Sequence, residues 1–337
     1  MSAMTSLALA RLLSGRQALS LDRLAAQTGA SPQTIRQNLG ALQALGVRVL
    51  DDGFDRYRLD APLDLLDGTR LRRDLATNVP GLVIDILDEC DSTSTVLASR
   101  LPAAPSGMVV TCEYQHAGRG RRGHRWTSGL GASLTFSLLW RFGGGSAALS
   151  GLSLAVAVSV CRALKHRGIA GVVLKWPNDL LFEGRKLGGI LIEISGSPQG
   201  PSTAIIGIGL NVRLPAEVSA AIDRPVTDLA EVANKGEGSA NALPLPDRGS
   251  LLVAVLTGLA GMLQRYESDG FAVFRPEWEA QHAHQGKYVY LLRDNLTVAE
   301  GVAVGVGDDG ALLLRTANGV ERFHSGEVSL RTSGMGM

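Results

Sequence analysis

Between Leu9 and Leu42 the apolar residues fall at helical spacing, and beyond Gly46 they turn to alternation. Leu9, Leu12 and Leu13 form one stripe, and Ser20 stands where it can cap a second helix over Leu21 to Thr28. Gly29-Ala30-Ser31 reads as a tight turn. Ser31 then caps a third helix with Pro32 in its first position, where a missing N–H costs nothing. Ile35, Leu39 and Leu42 give that helix its inner face, and Gly46 ends it. Val47 to Leu59, with Asp52-Gly53 at the turn, reads as a β-hairpin. Helix, turn, helix and hairpin in this order predict a winged helix-turn-helix domain over residues 1–62.

Residues 61–80 read as a connector with a short helix. Strand-like runs follow at Leu82–Leu87, Met108–Cys112, Leu134–Trp140, Val172–Lys175, Lys186–Ile194 and Ala204–Val212, with a helix at Leu149–His166 among them. The spacing predicts an α/β domain with a mixed sheet over residues 63–282. Residues 232–250, rich in Gly, Asn, Pro and Ser, read as a surface loop before helices at Leu251–Tyr266 and Phe271–Ala280. From Gln285 the pattern is purely β: Tyr288–Leu292, Leu296–Val306, Ala311–Arg315 and Val320–His324, with hairpin turns at Asp308-Asp309-Gly310 and Asn318-Gly319. A small SH3-like barrel over residues 283–337 fits, and the fold class is α+β multidomain.

Composition narrows the function classes. With 337 residues the chain is long enough for two or three cores. The formal net charge is +1, so any nucleic-acid contact must come from a local patch. Cys90, Cys112 and Cys161 make no C-x-x-C pair, which argues against a disulfide framework or a structural zinc and fits a reducing cytoplasm. The apolar run from Leu149 to Leu164 is shorter than the ~20 residues of a bilayer span and reads as a buried helix. No signal-peptide pattern opens the chain, and no membrane partner is expected.

The most informative segment runs from Gln115 to Trp126 and holds Gly118-Arg119-Gly120-Arg121-Arg122-Gly123. Its glycines let backbone N–H groups approach an anion, and its arginines add fixed charge. A solvated basic loop or a nucleic-acid contact is the competing reading. No P-loop sequence occurs. Lys175-Trp176-Pro177-Asn178-Asp179 pairs a cation with a carboxylate at a strand end, yet Lys175 read alone is an ordinary paired charge and Trp176 a core residue. Arg185-Lys186-Leu187-Gly188-Gly189 puts a lysine where it can meet a phosphate or merely sit in a turn. Gly207-Ile208-Gly209-Leu210-Asn211 fits a close-packed strand. Asp91-Ser92-Thr93-Ser94-Thr95 can line a pocket, although helix capping is the simpler reading. On the third helix, Gln33, Thr34, Arg36, Gln37 and Asn38 point outward, and such side chains can read base edges.

Taken together, these five segments resemble those of the biotin–protein ligases in order and spacing. With the N-terminal module included, the chain from about residue 5 to 331 resembles the bifunctional ligase–repressors of the BirA family. The resemblance implies that biotin and ATP give biotinyl-5′-AMP and pyrophosphate with Mg²⁺. It further implies that a lysine of biotin carboxyl carrier protein then takes the biotinyl group. It assigns Ser92, Thr93 and Gln115 to biotin's ureido ring, Ser94 to the same biotin and adenylate site, and Gly118, Arg119, Gly120 and Arg121 to a loop closing over the ligand. It sets Trp126 against the ligand, Lys186 on carboxylate and phosphate oxygens, Asp179 beside the acceptor lysine and Asn211 in the nucleotide pocket. Catalysis would rest on Lys186, Asp179 and Arg119. No protein metal ligands are expected.

Departures are visible. Ser94 stands where the best-known members carry Asn, His124 replaces an Arg and Gly189 an Ala. Arg213 to Asp228, implied to order over adenine, holds no aromatic and carries Pro225 and Val226. The resemblance also implies an adenylate-bound homodimer that sets two third helices, through Gln33, Thr34, Arg36 and Gln37, on a palindromic biotin operator. Three alternatives stay open: a ligand-sensing transcription factor without ligase activity, a lipoate ligase, and a ligase whose N-terminal module no longer binds DNA.

Overall fold

The computed structural model describes residues 6–15, 17–235, 244–294, 296–324 and 329–332. The N-terminal module comprises α1 (Ser6–Leu13), β1 (Leu19–Ser20), α2 (Leu21–Thr28), α3 (Pro32–Ala44), β2 (Val49–Asp51) and β3 (Arg56–Leu59). Both anticipated caps form: Ser20 Oγ accepts from the Arg23 N–H, and Ser31 Oγ from the Thr34 N–H. Gly46 follows α3 with φ at +81°. Leu7, Leu9, Leu13, Leu24, Ile35 and Leu42 fill the core of the module. The strand β1 has no counterpart in the sequence pattern; it pairs with β3 and completes a three-stranded sheet ordered β1-β3-β2.

The central body contains α4 (Gly68–Asn78), β4 (Val83–Cys90), α5 (Thr93–Ser99), β5 (Met108–Gln115), β6 (Gly118–Arg119), β7 (Arg125–Trp126), β8 (Ser133–Phe142) and α6 (Leu152–His166). It continues with β9 (Val173–Lys175), β10 (Asp179–Phe182), β11 (Arg185–Gly196), β12 (Ser202–Asn211), α7 (Ala216–Ala220), α8 (Leu229–Lys235), α9 (Arg248–Asp269) and α10 (Arg275–Ala280). Seven strands form a mixed sheet ordered β4-β5-β8-β12-β11-β10-β9. Only β4 and β5 run parallel; the other neighbours are antiparallel. The long apolar run does form a buried helix, α6. It lies with α9 on one face of the sheet, in a core with Phe136, Leu138, Ile206, Ile208 and Leu210. The other face is covered in part by α5, where Leu97 meets Val110, Leu139 and Ile205.

The surface loop anticipated over 232–250 is corrected at both ends. Residues 232–235 complete α8, whose Leu229 and Val232 are buried, and α9 begins at Arg248, capped by Asp247. Residues 236–243 lie outside the described residues. Local polarity is misleading here because Arg248 is itself fully buried. Its guanidinium meets Glu113 at 2.5 Å, also fully buried, and donates to the Asp64 and Ser133 carbonyls. Glu113 accepts from the Leu66 N–H at 2.6 Å. A buried ion pair of this kind fixes geometry more than it stabilises, but removing one partner strands a charge. Here it ties the 61–66 connector to the sheet.

The C-terminal strands β13 (Tyr288–Arg293), β14 (Leu296–Val306), β15 (Leu312–Thr316), β16 (Gly319–Phe323) and β17 (Ser329–Thr332) form an antiparallel sheet ordered β16-β15-β14-β13-β17. This module is bound to the central body. Trp176 Nε1 donates to the Gly310 carbonyl at 3.1 Å, and Ser150 Oγ donates to the Asp309 carbonyl at 2.6 Å. Among the described residues no helix is long and apolar enough to cross a membrane.

Candidate active site

The pocket follows from strand register. Cys112, Thr135, Gly209, Gly189, Asp179 and Lys175 lie opposite one another in a single row across β5, β8, β12, β11, β10 and β9. Paired residues in a sheet point to the same face. The next row on that face is Val110, Ser137, Gly207 and Leu191. In β12 the alternation therefore has a meaning that the sequence pattern does not disclose. Ile206, Ile208 and Leu210 enter the core, while Gly207 and Gly209 leave the opposite face bare. A Cβ on Gly207 would lie 2.8 Å from Ser94 Oγ, and one on Gly209 would lie 2.5 Å from the Trp126 indole. A flat ligand can lie on such a floor.

A cavity of about 500 Å³ opens above it. At one end stand Ser92, Thr93, Ser94 and Gln115, all buried. The serine–threonine run does start a helix, α5, but Ser92 makes no side-chain cap bond. The hydroxyls turn inward instead. Gln115 Oε1 accepts from the Thr93 N–H at 2.9 Å, and Ser137 Oγ lies 2.8 Å from Thr93 Oγ1 and 2.9 Å from Ser94 Oγ. Ser137, which no sequence motif singles out, joins this polar end. Helix capping, the simpler reading, is thereby corrected.

The Gly-Arg loop covers the cavity. Gly118 pairs with Trp126 and Arg119 with Arg125 in a two-stranded ribbon. A side chain at Gly118 would strike the Trp126 carbonyl at 2.5 Å. Arg119 reaches Glu193 at 2.5 Å and Thr95 at 3.3 Å, while Arg121 reaches Asn178 Oδ1 at 3.4 Å. Arg122 takes a left-handed φ of +56° and meets Asp294 at 3.1 Å. Trp126 lies beneath the loop with its ring N–H buried and unpartnered. An orphaned donor of this kind suits a ligand acceptor.

The far end of the cavity is cationic. Lys186 Nζ lies 2.5 Å from Asp179 Oδ1 and 5.9 Å from the Trp126 ring centroid. Arg121, Arg122, His124, Lys175, Arg224 and Arg331 also line the cavity. Burial, followed by neighbouring positive charge, pushes the Lys175 ammonium down to about 8 and lowers the His124 imidazole. Burial also lowers Arg121, which as an arginine stays charged. Arg224 belongs to the segment implied to cover adenine. That segment is held to the site where the Lys186 N–H donates to the Pro225 carbonyl and the Thr227 N–H to the Lys186 carbonyl. Arg331 and Asp294 come from the C-terminal module.

Two assigned residues stand apart from the lining. Gly118 serves the ribbon. Asn211 donates to the Thr227 carbonyl at 3.0 Å, and its own oxygen is buried without a partner. The residues expected to face DNA lie on α3, away from the cavity. Gln33, Arg36 and Gln37 are exposed, whereas Thr34 is half-buried against Ser31. Arg36 is paired with Asp55 at 3.1 Å.

Comparison with known proteins agrees with this arrangement. Residues 87–211 match the biotin/lipoate A/B protein ligase family, and residues 284–331 match the biotin protein ligase C-terminal domain. The chain is 31% identical to the bifunctional ligase/repressor BirA of Escherichia coli, over 97% of both chains. It is 32% identical to the biotin–[acetyl-CoA-carboxylase] ligase of Paracoccus denitrificans, over 72% of this chain and 98% of that one. The biotin protein ligase of Aquifex aeolicus, solved in complex with biotin and ATP, superposes with a TM-score of 0.60 at 30% identity. That match covers 74% of this chain and 99% of the other.

Proposed function

Because the chain belongs to the biotin protein ligase family, we propose that it condenses biotin with ATP to biotinyl-5′-AMP and transfers the biotinyl group to a lysine of biotin carboxyl carrier protein. The observation that carries this reading is the glycine floor between a hydroxyl-lined end and a cationic end. The ureido ring would lie by Ser92, Thr93, Ser94 and Gln115, with Ser137 behind them. The valeryl chain would cross Gly207 and Gly209 under Trp126. Its carboxylate would meet the α-phosphate beside Lys186, with Arg119 and Arg121 closing from the loop. Both half-reactions concentrate negative charge at one phosphorus, so prepositioned cations do most of the work.

Asp179 now holds Lys186. Once phosphate oxygens take over that lysine, the carboxylate is free to accept a hydrogen bond from the incoming acceptor amine. Mg²⁺ would arrive with the triphosphate and neutralise the departing pyrophosphate. Such ions commonly use one or two carboxylates plus substrate phosphates, and the described residues hold no cluster of three metal-binding side chains.

The N-terminal module, 1–62, is read as a winged helix-turn-helix domain, 63–282 as the catalytic domain and 283–337 as an SH3-like barrel. As an adenylate-bound homodimer the protein would repress the biotin operon, with Gln33, Thr34, Arg36 and Gln37 facing the operator. Arg36 would have to exchange Asp55 for a base or phosphate. One experiment tests both halves. Protein, biotin, ATP, Mg²⁺ and a carrier domain are combined, and the carrier is weighed by mass spectrometry. The same protein is then run in a gel shift on biotin-operon promoter DNA with and without biotin and ATP. A biotinylated carrier and a ligand-dependent shift are expected. An unmodified carrier would overturn the ligase reading, and no shift in either lane would overturn repression alone.

A further inference from the structure

The row across the sheet also measures the pocket, and it extends past Lys186 and Asp179. Gly209 belongs to the floor, Gly189 stands opposite it on the next strand, and Asp179 on the strand after that holds Lys186. Lys175 stands one strand further out, opposite Asp179, at the sheet edge. Neighbouring strands are about 4.8 Å apart. Lys175 therefore rises one strand spacing beyond the place where Lys186 would hold the α-phosphate, on the same face and in the same cavity.

Its ammonium has no hydrogen-bond or ion-pair partner among the described residues. Asp179, the nearest acid in the row, is already taken by Lys186. The positive charges that act on Lys175 are Arg331, Lys186 and Arg224. Behind it, His284 is buried and neutral, so nothing on that side supplies a counter-charge. Asp179 is the one acid that acts on this half-buried cation, against three positive charges, and such an excess is costly unless an anion joins it. The adenylate phosphate carries a single negative charge, which Lys186 and the loop arginines already meet. The surplus of positive charge matches the rest of a triphosphate.

Resting on the ligase reading above, we propose that Lys175 is a substrate-binding residue that holds the β- and γ-phosphates of ATP, and so the pyrophosphate before it leaves. Because burial and its neighbours hold Lys175 down to about 8, a bound polyphosphate restores its proton. Binding near pH 8 then takes up a proton from solution, and release returns it. The biotinyl adenylate, which lacks these phosphates, makes no such demand.

The test uses the full chain with Lys175→Met and Lys175→Arg. In adenylate synthesis, Lys175→Met should raise the KM for ATP about tenfold or more, the loss of one charge-assisted contact. The KM for biotin should stay within about twofold, and so should transfer from supplied biotinyl-5′-AMP to the carrier. Lys175→Arg should recover most of the ATP affinity. Calorimetric titration with pyrophosphate at pH 8, in buffers of different ionisation enthalpy, should show more proton uptake by wild type than by Lys175→Arg, the remainder common to both coming from the ligand and from His124. An unchanged KM for ATP in Lys175→Met, or an equal fall in both half-reactions, would overturn the assignment while leaving the ligase reading intact. A wild-type protein that makes no adenylate overturns that reading instead, and the assignment with it.

Discussion

At the scale of single residues, charge placement decides what the pocket can do. Lys186 is visible in the sequence as a lysine ahead of an apolar strand, which also describes many turn lysines. Its neighbours distinguish it: Asp179 at 2.5 Å and the Trp126 ring at 5.9 Å. Lys186→Ala should lower the rate of adenylate synthesis by roughly 10²–10³-fold, the usual loss when one prepositioned stabilising group is removed. The folded state should persist, because the side chain is not part of the apolar core. Pyrophosphate release followed by a coupled assay checks this, and near-normal release would remove Lys186 from its role. Ser137 and Arg331 are not legible in this way, and Lys175, though part of a motif, reads there only as an ordinary paired charge. Only neighbours from distant strands give each of them a task.

At the scale of elements, capping and periodicity serve well. The Ser20 and Ser31 caps, the α6 helix and six strands of the central sheet follow from local pattern, with ends shifted by a few residues. The short strands β10 and β17 escape, since Asp179–Phe182 and Ser329–Thr332 offer too little alternation to stand out. Without them the cationic end of the pocket stays hidden. The β12 strand makes a sharper point. Gly209→Ala should weaken biotin binding about tenfold or more, because overpacking a tight site costs about 1–3 kcal/mol; its Cβ would meet the rigid Trp126 ring at 2.5 Å. Gly189→Ala should be nearly silent, since its Cβ would meet the flexible end of Lys186 at 3.2 Å. Isothermal titration with biotin separates the two, and equal effects would contradict the floor.

At the scale of the whole molecule, the three modules share buried polar groups. The connector is fixed through Glu113 and Arg248, and Gly46 after α3 packs so closely on α7 that a Cβ would lie 2.9 Å from Val218. Where the central body meets the C-terminal strands, His282 and His284 are buried with Nε2 and Nδ1 unpartnered. Burial pushes both imidazoles down to about 4. Above the ordinary value near 6.5 neither folded nor unfolded chain carries the charge. As pH falls from there toward 4, the unfolded chain gains protons that the folded one refuses, and stability declines. Each imidazole costs the fold about 1.4 kcal/mol for every pH unit of that descent. The thermal midpoint should therefore fall between pH 7 and pH 5, and fall less in His284→Gln. An identical slope in that variant would assign the acid sensitivity to other groups.

What the sequence determined by itself were the features set by near neighbours: helix caps, strand alternation, hairpin turns and the motif order that carries the family resemblance. Each depends on residues a few positions apart, so local physics suffices. Only the tertiary structure decided which face of β12 is bare, which hydroxyls turn toward Gln115 and which lysine follows Lys186 across the sheet. Those choices depend on strand register, which joins Cys112 to Lys175 in one row through four intervening strands. A cation meets its anion through space, and the chain's order says little about which strands will bring the two together.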